Sequence, residues 1–186
     1  MTDPGASLSL KAYIVAQARN NRWSNHRLHA ASAELSEAEY FAERPSFFGS
    51  IHAHLDHILV VDWLYLERMT GESFLPPHMG ETLHAAFAPL AADQIRADET
   101  LIAFCEAATP ETLATTVSFR LMSGQEMTER LVDVLAHLFT HQIHHRGQVH
   151  GLLSATPVAP PQLDEFFMAG DAPLRADEMR RIGLSP

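Results

Sequence analysis

The sequence predicts an all-α protein arranged as a four-helix bundle. Four long segments have the composition of helices and contain no proline. Strand-prone sequence is limited to one short stretch, and proline-containing segments follow the second and the fourth helix. We therefore expect helices over residues 8–36, 50–69, 91–107 and 128–154.

Capping and breaking residues justify the ends of these helices. Ser36 is followed by two glutamates within three residues, which is typical of a helix restart or a turn. Residues before proline avoid helical angles, so Pro45 interrupts the chain after this point. Gly71 predicts a left-handed cap at the end of the second helix. The dipeptide Thr109-Pro110 closes the third helix.

The second helix is apolar on almost all sides, so several neighbours must cover it. It belongs in the centre of the bundle or at a subunit interface. Trp63 and Leu66 add more apolar surface than one bundle core requires, which favours a homodimer. The alternative is that the proline-rich loop predicted for residues 75–89, or a C-terminal arm, covers this surface.

Two shorter features complete the predicted architecture. Residues 115–119 are β-prone and lead to a turn signal at Ser123 and Gly124, so we expect a short hairpin. From Pro161 onward we expect a surface arm with one short helix around residues 176–181.

Composition excludes several classes of protein. The chain has 186 residues, 46% of them hydrophobic, and a formal net charge of −10 from 13 Lys and Arg against 23 Asp and Glu. This acidic balance argues against nucleic-acid binding. No apolar run reaches membrane-spanning length, and no signal peptide is visible. We expect a soluble, cytoplasmic protein with neither nucleic acid nor a membrane as its partner.

Histidine is the unusual component of this composition. Twelve histidines nearly match the 13 Lys and Arg, and eight of them fall into two clusters, on the second and the fourth helix. On a helical wheel His141 and His145 lie about 20° to either side of Val134, within the apolar stripe that faces the core. His137 and His144 lie on the flank of the same stripe.

A metal ion is the simplest partner for two neighbouring buried imidazoles. Histidines four residues apart on a helix can chelate one ion. A third ligand from the second helix would complete a zinc-type site, and by spacing both His57 and His54 are candidates. The alternative is that the histidines are ordinary core residues. Gln142 stands where a metalloprotease helix carries its glutamate base, so peptide hydrolysis by that route is not expected.

Other polar side chains on the same helices are secondary candidates: His54, His137, His144, Asp62, Arg146 and Gln148. The histidines could contact the metal ligands or transfer protons, or could only hydrogen-bond to the backbone. The aspartate could orient an imidazole, or pair with Arg27 or Arg146. Arg146 and Gln148 could meet an anionic substrate or form structural contacts. The single cysteine, Cys105, fits the apolar core better than a nucleophilic role.

Five separated motifs occur in order along the chain: residues 21–25 (NRWSN), 47–52 (FFGSIH), 56–62 (DHILVVD), 141–150 (HQIHHRGQVH) and 160–164 (PPQLD). Together they resemble the DinB-like (DinB/YfiT) metalloenzyme family over about residues 10–168. The resemblance implies a bundle with an up-down-down-up path, often a homodimer, over residues 1–168. Residues 169–186 would then form a C-terminal arm outside the pattern.

The resemblance also implies one divalent metal ion, zinc or nickel, held by His57, His141 and His145. Three protein ligands leave a coordination position open, which is typical of catalytic sites. A metal-dependent enzyme is therefore expected, activating a low-molecular-weight thiol for transfer to an electrophile, or water for hydrolysis. Bacillithiol transferases and mycothiol-dependent maleylpyruvate isomerase, which depend on such thiols, are similar in fold and in metal ligands. The alternatives are a non-catalytic metal-binding stress-response protein and a dimeric module with only core histidines.

Overall fold

The computed structural model describes residues 9–76, 82–121 and 123–185. Within these ranges the protein is mostly helical, with one small antiparallel sheet. The elements in chain order are α1 (Leu10–Ala33), α2 (Glu37–Phe41), α3 (Ile51–Thr70), α4 (Phe87–Ala107), α5 (Pro110–Leu113), β1 (Thr116–Arg120), β2 (Glu126–Arg130), α6 (Leu131–Leu153), a 3₁₀ turn (Ala169–Asp171) and α7 (Ala172–Arg181). No described helix is long and apolar enough to cross a membrane.

The four long helices pack on one another around a shared core. Helix α1 contacts α4 and α6, and α3 contacts the same two helices. Their buried leucine, isoleucine and tryptophan side chains form one cluster. Its largest fully buried members include Trp23, Leu28, Ile51, Leu55, Ile58, Leu59, Leu66, Leu101, Leu135 and Leu138. The pairing of α3 with α6 brings the two histidine-rich helices together.

Ser36 and Gly71 lie at helix ends as the sequence predicts, and Ser50 adds a cap that was not predicted. The Ser36 hydroxyl accepts a hydrogen bond from the backbone of Glu39, and α2 begins directly after Ser36. The Ser50 hydroxyl caps α3 through the backbone N–H of Ala53. Gly71 ends α3 with φ of 76°, a left-handed conformation that glycine adopts without a steric penalty.

Two helix starts differ from the prediction. Helix α4 begins at Phe87 rather than residue 91, because Pro89 lies in its first turn, where a missing backbone N–H costs nothing. Helix α6 begins at Leu131 rather than near Thr128, because Thr128 pairs with Ser118 in the hairpin. Part of the predicted loop over residues 75–89, namely 77–81, lies outside the described residues.

The predicted hairpin is confirmed. Strands β1 and β2 pair antiparallel from Thr116 with Arg130 to Arg120 with Glu126. Gly124 in the connecting turn has φ of 87°. Strand β1 contacts α3 and β2 contacts α6, so the hairpin lies against the same two helices that carry the histidine clusters.

The chain itself covers the apolar surface of α3. Trp63 is stacked on Phe74, which follows the helix, with ring centroids 4.8 Å apart and planes 23° apart. Leu66 is fully buried. These two residues therefore give no support to a dimer interface, although an interface elsewhere remains a prediction.

The C-terminal segment packs against α1. Helix α7 begins at Ala172, earlier than the predicted residue 176. The Glu178 carboxylate accepts hydrogen bonds from Trp23 Nε1 at 3.0 Å and from Arg27 Nε at 2.8 Å. Met179 and Leu184 are buried. The division into residues 1–168 and an arm over 169–186 remains a prediction.

Candidate metal centre

Three histidines from two helices converge at one point between α3 and α6. The candidate ligand atoms of His57, His141 and His145 all lie within 4.8 Å of one another. The Nε2 atoms of His57 and His141 are 3.2 Å apart. Across the described part of the chain, this is the group of histidine, cysteine or acidic side chains with a geometry that could hold a metal ion.

A hydrogen bond between the two helices holds their register at this point. Gln142, which follows His141, is fully buried, and its Nε2 donates to the backbone oxygen of Ile58 at 3.0 Å. Ile58 follows His57 in the same way. The bond therefore ties α6 to α3 one residue beyond a candidate ligand on each helix. From sequence, Gln142 indicates only that peptide hydrolysis is not expected, and its contact with α3 is not predicted.

Glutamine side chains orient two of the imidazoles. His145 Nδ1 donates to Gln148 Oε1 at 2.7 Å, which leaves Nε2 of His145 free to accept a metal ion. The Oε1 of Gln142 lies 3.4 Å from Nδ1 of His141. Gln148 is thus a partner of a candidate ligand, rather than the substrate contact considered from sequence. Its position three residues after His145, one helical turn away, is the signal that could have indicated this.

The electrostatics favour neutral imidazoles, the form that binds metal. Burial, together with the neighbouring imidazoles of His145 and His141, lowers the pKa of His57 to about 4. Burial and the imidazole of His145 lower the pKa of His141 to about 4. Burial also lowers the pKa of His145, against the effect of its bond to Gln148. At neutral pH no proton has to leave these rings before a cation binds.

The donor set fits a metal ion. Two nitrogens that bind one zinc ion tetrahedrally, each at about 2.0–2.1 Å, lie about 3.3 Å apart. The 3.2 Å separation of the His57 and His141 Nε2 atoms matches that value. Three imidazoles suit zinc and nickel alike. The arrangement could supply three ligands to such an ion, and three is the number found where a further position stays open for a reactant.

Phe48 covers one side of this centre. Its ring centroid lies 4.3 Å from that of His57, at an interplanar angle of 33°, and 5.7 Å from that of His145. An aromatic ring in this position excludes water from one face of the His57 imidazole. Phe48 belongs to the motif at residues 47–52, but the sequence alone does not predict its contact with the histidines.

The alternative ligand on α3 lies elsewhere. His54 is fully buried, and its Nδ1 lies 2.7 Å from the backbone oxygen of Ser50, to which it can donate. His54 is not in the three-histidine group. Its Nε2 has no hydrogen-bond partner among the residues that the structure describes.

The other flanking histidines have protein partners of their own. His137 Nδ1 is hydrogen-bonded to the hydroxyl of Tyr65. The ring of His144 packs edge-on against that of His145, with centroids 4.9 Å apart, and its Nε2 lies 3.3 Å from Nε2 of Gln148. Both imidazoles surround the candidate ligands without belonging to the three-histidine group.

A buried polar layer lies behind the centre. The Arg146 guanidinium donates to the side-chain oxygens of Asn21 and Asn25. The Asp62 carboxylate accepts from Gln94, and Asp98 accepts from both asparagines and from Gln94. Burial raises the pKa of both aspartates and lowers the pKa of Arg146. The positive charge of Arg146 partly offsets the rise for the aspartates, and their negative charges partly offset the fall for Arg146. Arg146 therefore contacts buried side chains of the protein, and Asp62 makes no direct hydrogen bond to a candidate ligand histidine among the described residues.

The single cysteine is a core residue. Cys105 is buried in α4, and burial raises the pKa of its thiol to about 12. A thiol with so high a pKa is a poor nucleophile at neutral pH.

Fold and site together define a mostly helical protein with a group of three histidines that could hold a metal ion. The sequence profile of the DinB family matches residues 9–178, which is most of the chain, and the protein belongs to that family. The match begins at the cap of α1 and ends within α7. Among curated proteins no sequence match is found.

Proposed function

We propose that this member of the DinB family is a metal-dependent enzyme. His57, His141 and His145 would hold one divalent ion, zinc or nickel, and leave a coordination position for a reactant. The observation that carries the proposal is the convergence of three imidazoles from α3 and α6, whose candidate ligand atoms lie within 4.8 Å of one another.

The bound ion would lower the pKa of a thiol or a water molecule and so supply a nucleophile near neutral pH. The surrounding residues have supporting tasks. Gln148 holds the His145 ring with Nε2 toward the other two imidazoles. Gln142 keeps α3 and α6 in register. Phe48 excludes water from one face of His57.

The reaction we favour is transfer of a low-molecular-weight thiol to an electrophile, and hydrolysis by activated water is the second candidate. Gln142 occupies the position of the glutamate base in a metalloprotease helix, which disfavours peptide hydrolysis. A non-catalytic metal-binding protein of stress response, in which the ion stabilises the fold, is the alternative function.

For the architecture we propose a four-helix bundle with an up-down-down-up path over residues 1–168 and an arm over residues 169–186. The packing of α1 and α3 against both α4 and α6 supports a bundle. A homodimer belongs to the same proposal and rests on the family resemblance, whereas the proposed cytoplasmic location rests on the sequence features given above.

Metal analysis of untagged protein is the first test. We expect about one ion per chain in the wild type and almost none in His141→Ala. A screen of thiol transfer to small electrophiles should then show turnover that chelation abolishes and metal restores. Metal-free wild type would leave the short His57–His141 separation as an N–H···N hydrogen bond, and the enzyme proposal would fail. Loss of fold on chelation, without any turnover, would favour the structural ion.

A further inference from the structure

A cavity lies next to the candidate metal centre. It has a volume of about 300 Å³ and lies between the hairpin, α3 and α6. Tyr65 and Arg68 of α3 form one wall, Phe119 and Met127 of the hairpin form another, and His137 of α6 also lines it. The His137 ring centroid is 6.4 Å from that of His141, so the cavity begins about one helical turn from the candidate ligands.

Arg68 is the only arginine that lines this cavity, and aromatic rings hold its guanidinium in place. The guanidinium carbon lies 4.3 Å from the ring centroid of Phe119 and 4.8 Å from that of Tyr65. The hydrogen bond between the Tyr65 hydroxyl and His137 in turn restrains the Tyr65 ring. Stacking of this kind orders the guanidinium and does not itself occupy its N–H groups, of which Nε has no hydrogen-bond partner among the described residues.

The charge of Arg68 has no carboxylate partner among the described residues. Its Nε is buried and makes no hydrogen bond there, and no ion pair joins it to an acidic residue. Two acidic residues line the same cavity. Asp133 is bound by Arg130 through two N–H groups, at 2.6 and 2.9 Å, and Glu129 makes no ion pair with Arg68. An oriented, partly buried cation is thus available to a ligand.

We propose that this cavity binds the carboxylate of a small organic acid with an apolar body, and that Arg68 is the residue that recognises it. The planar guanidinium offers paired N–H groups that match a carboxylate. Phe119, Leu121 and Met127 would contact the apolar body. The inference that the bound acid is the substrate of the three-histidine centre rests on the proposed function. The inference that the cavity binds the acid does not.

A carboxylate fits this site better than a phosphate. The cavity is lined by one guanidinium that has no ion-pair partner in the described ranges and by two acidic side chains, so it cannot neutralise two negative charges. Its remaining walls are largely apolar, and they would not compensate the hydration that a phosphate loses.

The test is a calorimetric titration of metal-free protein with hexanoate, using hexanamide as the uncharged control. We expect saturable hexanoate binding and at least about tenfold weaker binding of hexanamide. Arg68→Met should weaken hexanoate binding by about tenfold or more, because it keeps the length of the side chain but removes its charge. Arg68→Lys should recover part of the affinity.

Matched variants separate recognition from a general effect on the fold. Arg96 also lies over an aromatic ring, that of Trp63, but outside this cavity, so Arg96→Met should bind hexanoate like the wild type. Glu129→Gln should bind it equally well or more tightly, because one negative charge is removed. Circular dichroism checks that each variant is folded.

Three results would overturn the inference: no saturable hexanoate binding by folded wild type, equal binding of hexanamide, or unchanged binding by Arg68→Met. Its failure is distinguishable from that of the proposed function. Hexanoate binding to a protein that retains no metal would leave the carboxylate site in place and remove the metalloenzyme. Metal retention without hexanoate binding would do the reverse.

Discussion

Gln148 accepts a hydrogen bond from Nδ1 of His145 at 2.7 Å, and this one contact determines which nitrogen of His145 is available to a metal ion. The contact lies within a single turn of α6, so it does not depend on α3. The contact therefore orients the His145 ring without any contribution from α3.

We predict that Gln148→Leu lowers metal affinity by about 10- to 100-fold with little change in stability, because the His145 ring loses its orienting acceptor. Gln148→Glu should retain the affinity, since a carboxylate accepts the same hydrogen bond. A competition titration against a chelator measures both. Wild-type affinity in Gln148→Leu would show that the contact has no influence on the ion.

The two candidate ligands on α3 should respond differently to substitution. His57→Ala should abolish metal retention. His54→Ala should keep about one ion per chain but lower the free energy of unfolding by about 1–3 kcal/mol, because a fully buried ring is removed and the Ser50 oxygen keeps only the backbone N–H of residue 54 as its donor. Metal content and urea unfolding of each variant provide the check. If His54→Ala lost the ion and His57→Ala retained it, His54 would be the ligand on α3 in place of His57.

Arg146 compensates two buried carboxyl groups, so Arg146→Met should lower the free energy of unfolding by about 3–5 kcal/mol at pH 7. Burial raises the pKa of Asp62 and Asp98 above their ordinary values. A carboxyl group with a raised folded pKa stabilises the fold when protonated and loses that contribution as the pH rises. The deficit in the free energy of unfolding of Arg146→Met, relative to the wild type, should therefore be smaller at acidic than at alkaline pH.

Urea unfolding across the pH range measures this deficit, and Arg19→Met, at a half-buried arginine that pairs with the exposed Glu106, is the control. If the variant does not fold, Asp62→Asn added to Arg146→Met should recover folded protein, since one of the uncompensated charges is gone. A pH-independent deficit would mean that packing, not charge, is what Arg146 contributes.

His29 should make the fold sensitive to acid. It is buried beside Phe87, neither ring nitrogen has a hydrogen-bond partner among the described residues, and burial lowers its pKa to about 4. In the unfolded chain the pKa of this imidazole is the ordinary 6.5, so stability is complete above that pH and falls by about 3 kcal/mol as the pH drops to about 4.

His29→Leu should remove that part of the pH dependence and raise stability at pH 7 by about 1 kcal/mol, because two unpaired polar atoms leave the core. Unfolding free energies of both proteins, measured between these pH values, give the comparison. Parallel pH profiles for wild type and variant would contradict the prediction.

The C-terminal segment should contribute stability but not the metal centre. Truncation after residue 168 removes the buried Met179 and Leu184 and the partner of Trp23 Nε1, so we expect a loss of about 2–5 kcal/mol. Metal content per folded chain should stay at that of the wild type. A truncated chain with unchanged stability would show that residues 169–186 are a separate arm.

Local features of the structure follow from the sequence alone, because neighbouring residues determine them. Ser50 and Gly71 delimit α3 through a side-chain cap and a left-handed turn, and both act within one helical turn. The spacing of His141 and His145 places both on one side of α6 whatever packs against it. The exceptions, the starts of α4 and α6, occur where a first-turn proline and strand pairing compete with the helical pattern.

Packing between helices decided the rest. Spacing along α3 left His54 and His57 equal, and the contact of α3 with α6 directs only His57 toward the other two imidazoles. Tertiary contacts also cover Trp63 with Phe74 and stack Arg68 between rings of α3 and the hairpin. Such relationships join residues far apart in the chain, so their distances depend on how whole elements pack, which no local pattern encodes.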